Sequence, residues 1–323
     1  TSLREIHRVT FVEQVLMLSL FSHEIIGLDI SRERVGGALL RRDKGLPVME
    51  QTFFTPFPPN SLRLSRSELH LMNPVAFVQQ LKRLRRSVPS SVSRVALSLP
   101  DEVGRTVLLD LDETWKNRAE AVEMILWKLK KKLPHEAPDL HLDFQVLLRR
   151  EGVPSLVLAT FVAKQIIEQY ENLLYESGFQ PAWIDLHQIN LLRAFAEEIG
   201  HEGIGAFVSW YGENLGVVIM HDGIPFFWRS KYLPVERGNG EHLDQELHGS
   251  LEAYHKQWPE QHDVRACFFS PFGQRYLGLL TSLWQQMPIV LEYGSLYQQG
   301  GAARRTTPPE RVVAAIAAAA GRL

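Results

Sequence analysis

The segment from Glu24 to Leu40, E-I-I-G-L-D-I-S-R-E-R-V-G-G-A-L-L, constrains the chain most, because its plan is written twice. In the first copy an apolar run ends in a polar turn at residues 29–34, and a second run, Val35 to Leu40, leaves it, the pattern of a β-hairpin. A turn around Asp43, Gly45 and Pro47 leads to V-M-E-Q-T-F-F-T, a third strand. From Ile204 the same order returns as I-G-A-F-V-S-W, Y-G-E-N, L-G-V-V-I-M, H-D-G-I-P and F-F-W-R-S-K-Y-L, with Asp222, Gly223 and Pro225 at its second turn. Such a duplication predicts two sheets, each opening with a hairpin.

Two sheets of this kind suggest two lobes facing each other across a cleft, the plan of the actin-like ATPases. In that fold the first turn of each hairpin grips phosphate through backbone N–H groups, and Asp-x-Gly serves because glycine admits positive φ and close approach. Here the first turn reads Asp29-Ile30-Ser31 and the second Ser209-Trp210-Tyr211, so the glycine is lost in both and the acid in one.

The 323 residues carry 35 Lys and Arg against 37 Asp and Glu, which gives no global electrostatic case for nucleic acid or an anionic membrane. The single cysteine, Cys267, cannot form an internal disulfide, and a cytoplasmic location is the natural reading. The run T-F-V-E-Q-V-L-M-L-S-L-F near the start is shorter than the roughly 20 apolar residues a bilayer span needs, and it reads as an amphipathic arm over residues 1–22.

The rest of the chain fills in around the two copies. Residues 23–100 form the first lobe: after the hairpins come a Pro-rich surface loop (Thr55 to Asn73), a helix opened by Pro74, and the strand R-V-A-L-S-L-P. Residues 101–163 read as strand, helix (Asn117 to Leu133), strand and strand, a small inserted subdomain. Residues 164–200 return to the first lobe, with a helix stopped by Gly178, the strand P-A-W-I-D-L and a further helix to Gly200. Residues 201–304 make the second lobe, ending in a Gly/Gln/Arg-rich linker from Gln298 to Thr307, and residues 305–323 supply a final helix that packs back on a lobe.

The ordered set I-G-L-D-I-S, V-A-L-S-L-P-D, K-K-K-L-P-H-E, L-D-F-Q-V-L, Y-E-N-L-L-Y-E-S-G-F-Q-P-A-W-I-D-L, V-V-I-M-H-D-G-I-P-F-F-W-R and E-L-H-G-S-L-E-A-Y resembles the PilM family of type IV pilus assembly proteins, related in fold to FtsA. The resemblance implies a two-lobed actin-like ATPase fold, built of duplicated ribonuclease-H-like domains with the small strand-helix-strand-strand subdomain inserted. It also implies a cytoplasmic protein at the bacterial inner membrane that binds the short N-terminal tail of a bitopic partner, PilN in the family, and through it reaches the pilus motor. The GspL proteins of type II secretion share the fold and carry a transmembrane helix after it, which this sequence does not show.

Carried onto this chain, the nucleotide site would comprise Gly27, Asp29 and Ser31 of the first loop, Gly212 and Asn214 of the second, and Ser270 and Gly273 of F-F-S-P-F-G. All three loops are degenerate. Tyr211 would obstruct phosphate, and Pro271 and Phe272 replace glycines that give an adenine room. The reading is therefore a scaffold without hydrolysis, with ATP and Mg²⁺ the one cofactor left open, and with an ATP-binding switch of the same machine or the actin-like part of a type II secretion GspL-like protein as the alternatives. Asp29 equally suits a turn residue bonded to its own backbone. Trp127, Lys128, Lys131 and His135 in the inserted subdomain are candidates for partner binding, although a basic run at a helix C-terminus also complements the helix dipole. His242, His248 and His255 fall too far apart on one helix to share a metal, and no other ligand spacing occurs.

Overall fold

The computed structural model describes residues 24–111, 115–130, 139–149, 153–200, 202–234, 240–259, 265–270, 289–290, 298–305, 312–320 and 322. The first lobe opens with β1 (Glu24–Ser31), β2 (Arg34–Asp43) and β3 (Leu46–Pro56), an antiparallel meander, and β4 (Arg94–Leu99) and β8 (Gln180–Leu186) extend it in parallel on the β1 side. The second lobe repeats this arrangement with β9 (Ile204–Tyr211), β10 (Asn214–His221), β11 (Ile224–Tyr232), β12 (Arg265–Phe269) and β13 (Ile289–Val290). With β14 (Gln298–Arg305) at its far edge, the first sheet runs β14-β3-β2-β1-β4-β8, and the other runs β11-β10-β9-β12-β13. The duplication therefore extends from sequence to topology.

The second turns show why these hairpins form where they do. Lys44 and Gly45 take φ of 50° and 85°, and Asp222 and Gly223 take 49° and 75°. Two consecutive positive φ values give the type I′ geometry whose twist matches that of antiparallel strands. In both copies the sequence supplies glycine at the second of these positions.

A third sheet, β5-β7-β6, comes from β5 (Gly104–Leu111), β6 (Leu140–Leu148) and β7 (Ser155–Ala163). Helix α2 (Arg118–Lys130) covers one face of it, burying Ile125 and Leu129 against Val157, Ala159 and Phe161. The chain returns to the first lobe through α3 (Lys164–Glu176), and α1 (Pro74–Ser87) lies earlier, between β3 and β4. α1 buries Phe77, Val78, Leu81 and Leu84 and packs beside α3 on one side of the large sheet. Asn73 caps α1 by accepting from the Ala76 N–H at 3.0 Å, and Gly178 (φ 82°) ends α3 as the sequence predicts. On the other side lie α4 (His187–Ala194), the short α5 (Ala196–Ile199) and α7 (Val313–Ala320). With both faces covered, Ile25 to Ile30 is buried throughout. In the second lobe α6 (Gly240–Gln257) sets Leu243, Leu247 and Tyr254 against Ala206, Val208 and Trp210, the alternate residues of β9.

Four expectations need correction. The polar turn after β1 is only Arg32 and Glu33, because β1 pairs with β2 down to Ser31. The Gly/Gln/Arg-rich linker contains β14 (Gln298–Arg305), which adds in parallel to the outer edge of β3. The Pro-rich segment after β3 is anchored rather than simply superficial: Phe57, Leu62, His70 and Leu71 are buried. His70 Nε2–H donates to the Ser65 carbonyl at 2.6 Å while Nδ1 accepts from the Tyr170 hydroxyl at 3.2 Å. The helix ending at Gly200 is broken at Phe195, whose ring turns toward the second lobe. The N-terminal arm lies outside the described residues.

Candidate functional site

The closures of the two first hairpins, Ser31 opposite Arg34 and Tyr211 opposite Asn214, align the copies position by position. Asp29 corresponds to Ser209, Ser31 to Tyr211, Arg34 to Asn214 and Gly36 to Gly216. The two turns meet across the cleft. Arg32 of the first pairs with Glu213 of the second, and its guanidinium lies 5.5 Å over the Tyr232 ring.

Beneath that pair the cleft is filled by protein. The Tyr211 hydroxyl, reaching from the second lobe, donates to Asp29 Oδ2 in the first. The same oxygen accepts from Arg34 Nη1 at 3.2 Å, and His187 Nε2 at the start of α4 lies 3.3 Å from Oδ1, an ion-pair distance without hydrogen-bond alignment. Asp29 is fully buried. It is a strand residue opposite Gly36, not a turn residue bonded to its own backbone. Deeper still, Phe195 lies 4.9 Å from Phe269 and 6.3 Å from Phe207, joining the lobes by an apolar floor.

The electrostatics follow from burial. Desolvation alone would raise the Asp29 carboxyl, but Arg34, His187 and Tyr211 outweigh it and hold the group at about 2. Burial works against the charged form of His187 as well, yet Asp29, Asp101 and Glu102 raise its pKa. The Tyr211 hydroxyl is pushed up by burial and by the Asp29 charge, so it remains a donor. Asp101 is different. Its carboxylate accepts the Gln188 N–H at 3.2 and 3.3 Å, but burial pushes it up to about 7 against the pull of His187.

These residues do not fit a magnesium-bound phosphate. Asp29, the acid that would hold the metal's waters, is already committed to a guanidinium, an imidazole and a phenol. Gly27 has another duty: α7 crosses β1 there, and a Cβ would lie inside the contact distance of the Ala315 carbonyl. A helix rich in alanine and a strand glycine permit this approach. Of the other nucleotide candidates, Ser31 ends β1 half-buried, Gly212 holds the second turn at φ 61°, and the Asn214 Oδ1 accepts from Ser230 at 2.8 Å. Ser270 is buried just after β12, and Gly273 lies outside the described residues.

A second concavity, a cleft of about 610 Å³, lies between the inserted sheet and the first lobe. Its walls come from β6, alternate residues of β7, the end of β8, and α4, with Arg118 and Arg322. Trp127, 58% exposed, and Lys128, whose Nζ folds back to the Asp110 carbonyl, sit on α2 across the inserted sheet from this cleft. The structure does not bring them to it. Lys131 and His135 lie outside the described residues. Sequence reasoning passed over Arg34, Asp101, Asp185, His187, Arg193 and Arg322, since isolated charges on different elements leave no spacing signal. Of the cleft cluster, Asp29 stood out as the retained acid and Tyr211 as a ring where glycine belongs.

No protein-family model and no curated protein matches the sequence. Solved structures do. The chain superimposes on a structure described as the PilM-PilN type IV pilus biogenesis complex with a TM-score of 0.75 at 16% identity, over 93% of this chain and 99% of that one. The fold is actin-like. A Bacteroides thetaiotaomicron protein described as having an actin-like ATPase fold and unknown function matches with a TM-score of 0.51 at 10% identity, over 91% of this chain and 96% of that one. Among the described residues, no helix is long and apolar enough to cross a membrane.

Proposed function

We propose that this actin-like chain is a non-hydrolysing scaffold of a type IV pilus assembly machine, held at the cytoplasmic face of the inner membrane through a bitopic partner of PilN type. The observation that carries the reading is the cleft between the inserted sheet and the first lobe, open while the inter-lobe cleft is filled by Tyr211, Asp29, Arg34 and His187. A short extended tail suits such a cleft, since strand edges and apolar side chains supply both backbone hydrogen bonds and anchors. The likeness to a PilM-PilN complex along nearly the whole of both chains supports it.

Calorimetry with two ligands tests the reading. Titration of the full chain with the N-terminal tail of a PilN-type protein from the same genome is expected to give saturable heat, and titration with Mg-ATP is expected to give none. Absence of tail binding would overturn the scaffold role. Saturable heat with Mg-ATP would replace it with a nucleotide-bound switch.

A further inference from the structure

We infer that the segment this cleft receives is an extended strand bearing a carboxylate, which Arg193 and Arg322 hold. The inference rests on the reading of the cleft as a tail-binding groove and names what the tail must carry.

The strand requirement comes from how the walls are built. β6 contributes the consecutive residues His141 to Gln145, and β8 contributes Ile184, Asp185 and Leu186. Neighbours along a strand point to opposite faces, so a consecutive run lines a cleft only where the strand turns its edge toward it. By contrast, β7 contributes Leu158, Thr160 and Val162, one face only. β6 and β8 are each the outermost strand of their sheet among the described residues. Apart from Phe144, whose N–H donates to Asp143 Oδ1 and whose carbonyl accepts from Arg118, their outward N–H and C=O groups can therefore pair with an added strand.

The carboxylate requirement comes from a charge imbalance. Asp185 Oδ2 accepts from Arg193 Nη1 at 3.2 Å and from Arg322 Nη2 at 2.6 Å, so two guanidiniums share one carboxylate. Arg193 also donates to Asn190 Oδ1 at 3.3 Å. The Nε atoms of both arginines are buried and have no acceptor among the described residues. Both side chains are only 11% exposed, and the Arg322 guanidinium lies 5.2 Å over the Trp183 ring, so beyond that ring the excess cation is poorly solvated. The other ion pair in the lining, Arg118 with Asp143, is balanced. An incoming carboxylate would complete a two-arginine, two-carboxylate arrangement in a partly desolvated site, where charge-assisted hydrogen bonds are strongest.

Panning the full chain against short random peptides displayed on phage tests this directly. The selected peptides are expected to be β-prone and apolar, with Asp or Glu at one fixed position. Changing that residue to its amide in a synthetic peptide should weaken binding about tenfold or more. Arg193→Gln should abolish the acidic preference. Asp185→Asn, which removes the resident anion and keeps both arginines, should strengthen it, an outcome that simple damage to the fold does not produce. Selected peptides without an acidic position, no selection at all, or unchanged affinity on the amide exchange would overturn the inference. A PilN-type tail that binds equally well after its acids are replaced by amides would overturn it while leaving the proposed function intact. An acidic preference in a chain that binds no such tail would do the reverse.

Discussion

The two first hairpins of this chain have the same topology and register, yet they do different work. The first places Asp29 and Arg34 at the cleft and is backed by α7 at Gly27. The second places Ser209 and Asn214 at the matching positions and sends Tyr211 across to the other lobe. One copy supplies charge and the other a neutral donor. Together they complete a polar core that neither could satisfy alone, since a buried carboxylate, guanidinium and imidazole are each costly without partners. The comparison teaches that a duplicated fold can close its own cleft through divergence at a few equivalent positions, with the sheets unchanged.

The strongest way to break this asymmetry is Asp29→Ala, which leaves Arg34 and His187 buried without their shared anion. A loss of about 3–5 kcal/mol in urea denaturation is expected. The equivalent change in the other copy, Ser209→Ala, should cost about 1 kcal/mol or less, and equal losses would mean that the copies are not differentiated as described.

A pH series probes the same core from another direction. Around it stand Asp29, Arg34, Asp101, Glu102, His187 and Tyr211. Asp101 titrates at about 7 in the fold and at 3.8 when free, so between those values the unfolded chain binds fewer protons and stability falls as pH rises. At about 1.4 kcal/mol per unit this amounts to about 4 kcal/mol at most. His187, raised above 6.5, adds stability that is fully present below that value and is lost as pH rises through its folded pKa. Asp29 acts oppositely: its contribution is present above 3.8 and is lost as pH falls toward about 2. Denaturation midpoints should therefore peak near pH 4–5 and decline toward pH 8, and Asp101→Asn should flatten that decline.

The glycines sharpen the comparison further. Gly27→Ala drives a methyl group against the backbone carbonyl of Ala315, and a loss of about 2–3 kcal/mol is expected. Gly216→Ala in the second lobe meets the Gln188 side chain, whose amide end can move, so about 1 kcal/mol is expected there. Tyr211→Phe removes one hydrogen bond to a buried carboxylate and should cost about 2 kcal/mol by the same measurement. The smallest effect belongs to Arg32→Ala, since the Arg32–Glu213 pair is 41% and 31% exposed, and less than about 1 kcal/mol is expected.

Much of the fold was legible because the strands are strongly apolar and the turn chemistry is explicit, as at Lys44-Gly45 and Asp222-Gly223. β14 was not legible. Its composition reads as a linker, and it becomes a strand because the edge of β3 offers it a ladder. The site was legible in one respect: Tyr211 stands where a glycine would admit phosphate. What filled the cleft was not. Arg34 and His187 are remote in sequence and meet Asp29 only after β1, β2 and α4 have assembled. The case of Gly27 is similar, since nothing around it in the sequence announces that the alanine-rich helix near residue 315 will lie on it.

The position of α7 and β14 also orders events in time. β14 extends the sheet that β1 begins, and α7 covers that sheet's inner face, yet both are synthesised after β9 to β12. On the ribosome the first lobe must wait, with the face around Gly27 and Gly36 uncovered, until β14 and α7 emerge. The lobe translated second can thus acquire its core first, and the lobe begun earliest is the one finished last.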